Sequence, residues 1–156
     1  MQDYYSETVN LYFPEIKLVL EEAGEKVVYR FVGTWVGHGA RLTGLYVISD
    51  QKLYFKGKMK VTFTSSTYSM ISSGTKAKNV FMIPLDMIYE LTQKKTDFIF
   101  KHKLDYMGGK YIGKKEKVII SMYQGKEGKL KESKEEWMKR ANDLNSFIRT
   151  KVTPLK

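Results

Sequence analysis

The stretch Gly44-Leu-Tyr-Val-Ile-Ser-Asp-Gln-Lys-Leu-Tyr-Phe55 predicts two short strands joined by a tight turn. Ser49-Asp-Gln51 supplies the small polar residues that such a turn favours. In the second strand, Leu53 and Phe55 alternate with polar or charged neighbours, so we expect these two side chains to face a core. The neighbours that we expect to face solvent are Lys52, Tyr54 and Lys56.

The same period of two recurs on both sides of this hairpin. Short strands are predicted at 27–36, 42–49, 52–57, 79–83, 87–91, 97–104 and 117–123. Residues 62–78 are rich in Ser and Thr and predict an exposed loop, and residues 105–116 form a loop rich in Gly and Lys. The middle of the chain is therefore a succession of strands with short connections.

A helical pattern appears near each end of the chain. Ser133 and Glu136 have the spacing of a capping box, and they precede an apolar stripe that continues to about Arg149. The residues of this stripe are Trp137, Ala141, Leu144 and Ile148. The segment from Pro14 to Gly24 predicts a short helix, although Ile16–Leu20 also fits a strand.

Composition limits the classes of function. The 156 residues include no cysteine, which excludes disulfides, thiolate nucleophiles and cysteine-based metal sites. Residues 1–10 lack the basic start of a secretory signal, and no apolar run is long enough to predict a membrane span. The formal net charge of +10 comes almost entirely from lysine and favours anionic partners, unless it serves solubility or reflects an AT-rich or thermophilic source.

Consecutive strands followed by one amphipathic helix predict a mostly β fold with α. An immunoglobulin-like sandwich does not need the helix, and an alternating α/β fold needs a helix after every strand. A pleckstrin-homology-like (PH-like) fold, a bent seven-stranded sheet capped by a C-terminal helix, fits the pattern. Gly44–Phe55 resembles the signature of the GRAM and GLUE domains of this class, and Ile83-Pro-Leu-Asp-Met-Ile-Tyr-Glu90 and Gly24-Glu-Lys-Val-Val28 are similar to flanking segments.

The resemblance extends from Ala23 to Ile148 and is closest to the GLUE domain of the ESCRT-II complex. It implies one domain at 14–150, after a flexible acidic segment at 1–13 and before a tail at 151–156. It also implies a cytoplasmic adaptor with peripheral membrane contact, without a cofactor. The implied partners are a phosphoinositide or other anionic lipid surface, ubiquitin or a ubiquitin-like protein, and other ESCRT-like subunits.

No catalytic arrangement emerges from the residues themselves. His38 and His102 belong to no triad or metal spacing, and the carboxylates of Glu132, Glu135 and Glu136 are explained by the start of a helix. We therefore expect a binding protein rather than an enzyme, with no metal site.

Lysines of the predicted loops and strands form the first candidate site. Loops of a bent sheet can meet at one rim, so we expect these lysines to converge on an anionic lipid: Lys94, Lys95, Lys101, Lys103, Lys110, Lys114, Lys115 and Lys117. The glycines of the same loop allow backbone N–H groups to approach a phosphate. The alternative is a solvated hairpin tip with lysines that serve solubility.

Two further surfaces are candidate binding sites. Lys52, Lys56, Lys58 and Lys60 with Tyr54 suit a single-stranded nucleic acid, which is the alternative function. Trp137, Met138 and Phe147 form a candidate protein-binding patch for ubiquitin, unless they only widen the buried stripe of the helix. The acidic N-terminal segment either packs on the domain or masks a basic face.

Overall fold

The computed structural model describes residues 4–37, 40–62, 80–104, 114–125 and 132–152. Seven antiparallel strands form one sheet curled into a half-barrel, with a helix at each end of the described chain, so the predicted fold class is confirmed. The elements are α1 (Tyr4–Glu22), β1 (Tyr29–Gly37), β2 (Ala40–Ile48), β3 (Lys52–Thr62), β4 (Phe81–Pro84), a 3-10 turn (Leu85–Met87), β5 (Ile88–Lys94), β6 (Asp97–Leu104), β7 (Lys114–Met122) and α2 (Lys134–Arg149).

The strands lie in the order β4-β3-β2-β1-β7-β6-β5. Strand β1 therefore joins the two halves of the sheet, and the half-barrel is open between the edge strands β4 and β5. This arrangement is consistent with the predicted PH-like architecture. Helix α2 packs on the inner face, where Ala141, Leu144 and Ile148 are buried among the side chains of the strands.

Both ends of α2 are fixed by hydrogen bonds. The hydroxyl of Ser133 accepts a 3.1 Å hydrogen bond from the backbone N–H of Glu136, which confirms the predicted N-cap. Near the other end, the Arg149 guanidinium donates to the carbonyl of Leu91 on edge strand β5 at 3.1 Å. The helix therefore covers part of an edge whose backbone groups would otherwise need water.

A row of glycines allows the sheet to bend. Gly33, Gly44 and Gly57 are cross-strand partners on β1, β2 and β3. A Cβ at Gly44 would overlap the carbonyl oxygen of Lys56, and a Cβ at Gly33 would overlap that of Ser121. Because the neighbouring backbone occupies the space of a side chain at this row, only glycine permits the close approach.

Helix α1 packs on the outer face of β1, β2 and β3 and builds a second apolar cluster there. Ile16 and Leu20 contact the outer-face residues Val32, Leu45 and Tyr54 in this cluster, and all five are buried. The prediction that Tyr54 faces solvent is therefore wrong, although the alternation along β3 that placed it opposite Leu53 and Phe55 is correct. The physical reason is that the outer face, like the inner one, is covered.

The N-terminal helix is longer than the sequence predicts. We expected it to begin near Pro14, whereas α1 begins at Tyr4 and includes most of the segment assigned to a flexible region before the domain. Tyr5 and Val9 are each 5% exposed, and the Tyr5 hydroxyl donates to the carbonyl of Arg30 at 2.8 Å. Apolar residues spaced four apart thus attach this acidic segment to the sheet.

A buried ion pair joins the connection after β7 to α2. Glu132 is 2% exposed, and both of its oxygens accept hydrogen bonds from Arg140. The same guanidinium donates to the carbonyls of Tyr123 and Gly125 at 3.2 and 3.1 Å. Glu132 therefore has a specific partner in addition to its position before a helix.

Candidate functional site

The described lysines of the first candidate site lie mainly on the β6–β7 hairpin. Lys101 and Lys117 are direct cross-strand partners, and both are exposed. Positions 103 and 115 form the pair two residues further along the strands, which belongs to the same face of the sheet. We call Lys101, Lys117, Lys103 and Lys115 the lysine ladder; its two rungs lie about 6.7 Å apart along the strands.

Two lysines that the sequence assigned to the loop belong to a strand. Strand β7 begins at Lys114, three residues earlier than predicted, so Lys114 and Lys115 are strand residues. Lys114 pairs with Leu104 and occupies the alternate register, so it is not part of the ladder. Lys110 lies outside the described residues.

The predicted convergence of Lys94 and Lys95 with the other lysines is wrong. Lys94 pairs with Asp97 at the turn between β5 and β6, whereas Lys103 lies near the opposite end of β6. In an up-and-down sheet successive turns emerge at opposite ends of the strands, so the β5–β6 turn and the β6–β7 connection cannot share a rim. Lys95 occupies the turn itself, with a φ of 56°.

The charge of Lys101 is held by a neighbour on β5. The Lys101 ammonium lies 2.8 Å from the Glu90 carboxylate, and both side chains are about half exposed. The hydrogen bond to Glu90, the charge of Glu90 and, more weakly, Tyr89 raise the pKa of Lys101 above its usual value. Lys101 is therefore cationic at any physiological pH.

The second basic strip is neutralised in part by residues at the N-terminal end of the chain. Lys52 lies 3.2 Å from the buried Glu25, and Lys56 forms an ion pair with Glu15 of α1. Burial lowers the pKa of Lys56 in this position. Tyr54 is buried and donates a 3.0 Å hydrogen bond to Glu25, so its ring is not available for stacking on a base. The feature that suggested nucleic-acid binding is thus absent from the described part of this strip.

The three helix residues of the predicted protein-binding patch do not form an exposed apolar surface. Trp137 and Phe147 pack against the main core, and Phe147 meets Tyr29 edge to face with 5.3 Å between ring centroids. Met138 is half-buried. The ubiquitin site stays a prediction that the described contacts neither support nor test.

A feature that sequence analysis missed lies on the outer face beside the ladder. Val36, Ile119 and Ile99 are cross-strand neighbours on β1, β7 and β6, and Thr92 on β5 continues the row. The three aliphatic residues are half-buried. We call Val36, Ile119 and Ile99 the aliphatic row. Each strand shows this alternation by itself, but only the register between strands places these residues side by side.

A hollow of about 440 Å³ lies between the β2–β3 turn and the 3-10 turn, and its charged lining residues are Asp50, Lys52, Asp86 and Lys151. His102 is buried on β6, and His38 is outside the described residues. Among the residues that the structure describes, no three His, Asp or Glu side chains cluster as metal ligands, and neither helix is long and apolar enough to cross a membrane.

No protein-family model matches the chain, and none of the curated proteins matches it. One solved structure with a similar chain path is the C-terminal domain of an unknown protein from Leishmania infantum. It is 14% identical, with a TM-score of 0.49, and the match covers 91% of this chain and 94% of that one.

Proposed function

We propose that the chain is a non-catalytic binding module that recognises an anionic phospholipid surface through the lysine ladder, at the cytoplasmic side of a membrane. The observation that supports this most is the β6–β7 register, which places Lys101 beside Lys117 and position 103 beside position 115. Like charges directly opposite each other on a sheet are unfavourable. Glu90 of β5 offsets part of the charge of Lys101, and an anion bound at this surface would offset the rest of the like-charge pairs.

The chemistry of the ladder favours a lipid surface over nucleic acid. Lysine gives diffuse attraction to a charged surface, whereas arginine is preferred for reading a base edge or holding a phosphate in a fixed geometry. The aromatic side chain expected between the lysines of β3, Tyr54, is buried. The side chains beside the ladder are the half-buried aliphatic row and not aromatic rings on which bases could stack.

Vesicle co-sedimentation tests this proposal. Lys101→Glu/Lys117→Glu should weaken binding to phosphatidylcholine vesicles that contain phosphatidylserine or a phosphoinositide by about 30-fold or more, since each lysine near an anionic leaflet strengthens binding by about fivefold. The control is Lys134→Glu/Lys139→Glu, which makes the same change in net charge at two exposed positions of α2. Binding should also fall at high salt because exposed charges are screened.

Three results would oppose the proposal. Equal binding by the ladder and control variants would show that net charge, and not the ladder, attracts the chain to the membrane. Binding to phosphatidylcholine alone would remove the electrostatic argument. A strong salt-dependent affinity for a single-stranded oligonucleotide, without affinity for vesicles, would favour the nucleic-acid alternative.

A further inference from the structure

The lysine ladder alone gives only weak membrane affinity. Lys101 and Lys117, the ladder lysines whose side chains the structure describes, correspond at an anionic leaflet to a dissociation constant on the order of 30 mM. Stable membrane association of a peripheral protein usually needs a second contribution, such as apolar surface that enters the interface. If the ladder is a membrane site, the surface beside it should supply that contribution.

The aliphatic row lies at the position where such a contribution is needed. Ile119 and Ile99 each lie two residues from a lysine of the first rung, Lys117 on β7 and Lys101 on β6. Residues two apart on a strand share a face, so the row and the rung are parallel lines about 6.7 Å apart. Val36 extends the row onto β1, beside the exposed Arg41 of β2.

The apolar residues of the outer face differ in how far they are buried. Under α1, the outer-face residues Val32 and Leu45 are at most 1% exposed. The aliphatic row belongs to the same face but is only partly buried. Because the sheet curls into a half-barrel, the outer face of β5, β6 and β7 is turned away from α1. As far as the described elements are concerned, a flat surface can therefore approach the row together with Lys101 and Lys117.

We propose that the aliphatic row enters the headgroup region of an anionic membrane while the neighbouring lysines contact the lipid phosphates. This inference rests on the proposed lipid-binding function and adds its mode of contact. Lysine side chains are long enough to reach from an apolar surface to the polar headgroups, so the two rows are compatible with one interface. The charge of the ladder specifies an anionic bilayer as the occupant of this surface.

The absence of cysteine provides a direct test. Ile119→Cys introduces the single thiol of the chain, which accepts an environment-sensitive fluorophore. On addition of phosphatidylserine vesicles, the label should shift to the blue and should be quenched by lipids that carry a spin label near the headgroup. The same label at Val27→Cys, an exposed apolar position in the segment before β1, should not respond.

A series of substitutions without a label measures the energetic contribution. Ile119→Thr should weaken vesicle binding by about fivefold, because part of an isoleucine side chain is no longer buried in the interface. Thr92→Val has a nearly isosteric side chain, extends the row on β5 and should strengthen binding. Val27→Thr is the matched control, and a thermal melt of each variant verifies that the sheet remains folded.

The outcomes separate this inference from the function on which it rests. Suppose that vesicle binding depends on Lys101 and Lys117, but the fluorophore on Ile119→Cys does not respond and Ile119→Thr binds with unchanged affinity. This combination would overturn the insertion of the row and leave the lipid-binding proposal intact. An absence of vesicle binding by the unmodified chain would overturn both proposals. A blue-shifted label and a weaker Ile119→Thr variant support both.

Discussion

Substitution of Arg140 by methionine tests whether the buried ion pair holds α2 against the sheet. Methionine preserves much of the length of the side chain but removes the guanidinium. The carboxylate of Glu132, whose side chain is fully buried, would lose its donors. The carbonyls of Tyr123 and Gly125 would lose a shared donor at the same time. The change therefore leaves a buried charge and two backbone acceptors without their partner.

The expected cost follows from the burial of Glu132. Removing one partner of a buried pair costs about 3–5 kcal/mol, because the remaining charge is uncompensated. A domain of this size has a free energy of unfolding of about 5–15 kcal/mol, so Arg140→Met should remove a large fraction of it. Replacing both members, as Glu132→Leu with Arg140→Met, removes the charge as well and should recover most of the loss.

Urea denaturation followed by the fluorescence of Trp35 and Trp137 provides the measurement. The single variant Arg140→Met should have a much lower midpoint with an unchanged slope, which indicates a loss of stability and not a change in compactness. Glu132→Gln is a milder control, since the amide keeps an acceptor for Arg140. A cost below about 1 kcal/mol for Arg140→Met, or a double variant no more stable than the single one, would refute the reasoning.

Three other predictions concern stability. Gly44→Ala should cost about 3 kcal/mol in urea denaturation, because its Cβ overlaps a rigid backbone carbonyl, that of Lys56; an unchanged midpoint would show that the sheet can widen there. Lys95→Gly should raise the free energy of unfolding by about 1 kcal/mol, since it relieves a left-handed conformation with a φ of 56°; no gain would mean that the turn is not strained. Stability should fall as pH rises above about 10, because two tyrosines have raised pKa values in the folded state. Burial raises the pKa of Tyr46, and burial, the charge of Glu25 and a hydrogen bond to Glu25 raise the pKa of Tyr54. Both side chains must stay protonated in the folded state, whereas they ionise in the unfolded chain. Absorbance at alkaline pH should show tyrosinate forming with unfolding, and Tyr54→Phe should flatten the decline.

The elements with a strong local signal were predictable from the sequence. The hairpin around Ser49-Asp-Gln51 and the start of α2 at Ser133 depend on residues only a few positions apart, and the structure has both. Helix α1 was predicted only in its second half. Its first turns contain polar and acidic residues that obscure the buried Tyr5 and Val9.

The burial of Tyr54 had a sequence signal that alternation alone did not exploit. The outward-facing positions of β1 and β2 are occupied by Val32, Leu45 and Val47, whereas a solvated face would have polar residues there. Apolar residues on both faces of neighbouring strands indicate that a second element covers the sheet. That observation would have linked α1 to the outer face and removed Tyr54 from the candidate site.

The lysine ladder could not be derived from the sequence because it depends on register. The spacing of Lys101 and Lys103 places them on one face of β6, but the sequence does not specify which residues of β7 lie opposite them. In the structure β7 begins at Lys114 and not at 117. Its pairing with β6 places Lys115 opposite Lys103 and Lys117 opposite Lys101. The aliphatic row depends on the same register, so both features were beyond a reading of each strand by itself.

The sequence contains two basic strips, and α1 determines which of them remains suited to an external anion. Glu15 on α1 and Glu25 just after it engage Lys56 and Lys52, so these lysines of β3 already have carboxylate partners within the chain. On the β6–β7 hairpin, Glu90 engages Lys101, while the cross-strand partner of Lys101 is another lysine. Two carboxylates at the N-terminal end of the chain thus offset two lysines of β3, whereas on the hairpin Glu90 offsets one lysine of a pair of lysines. The location of the candidate membrane surface therefore depends on the helix whose extent the sequence revealed least.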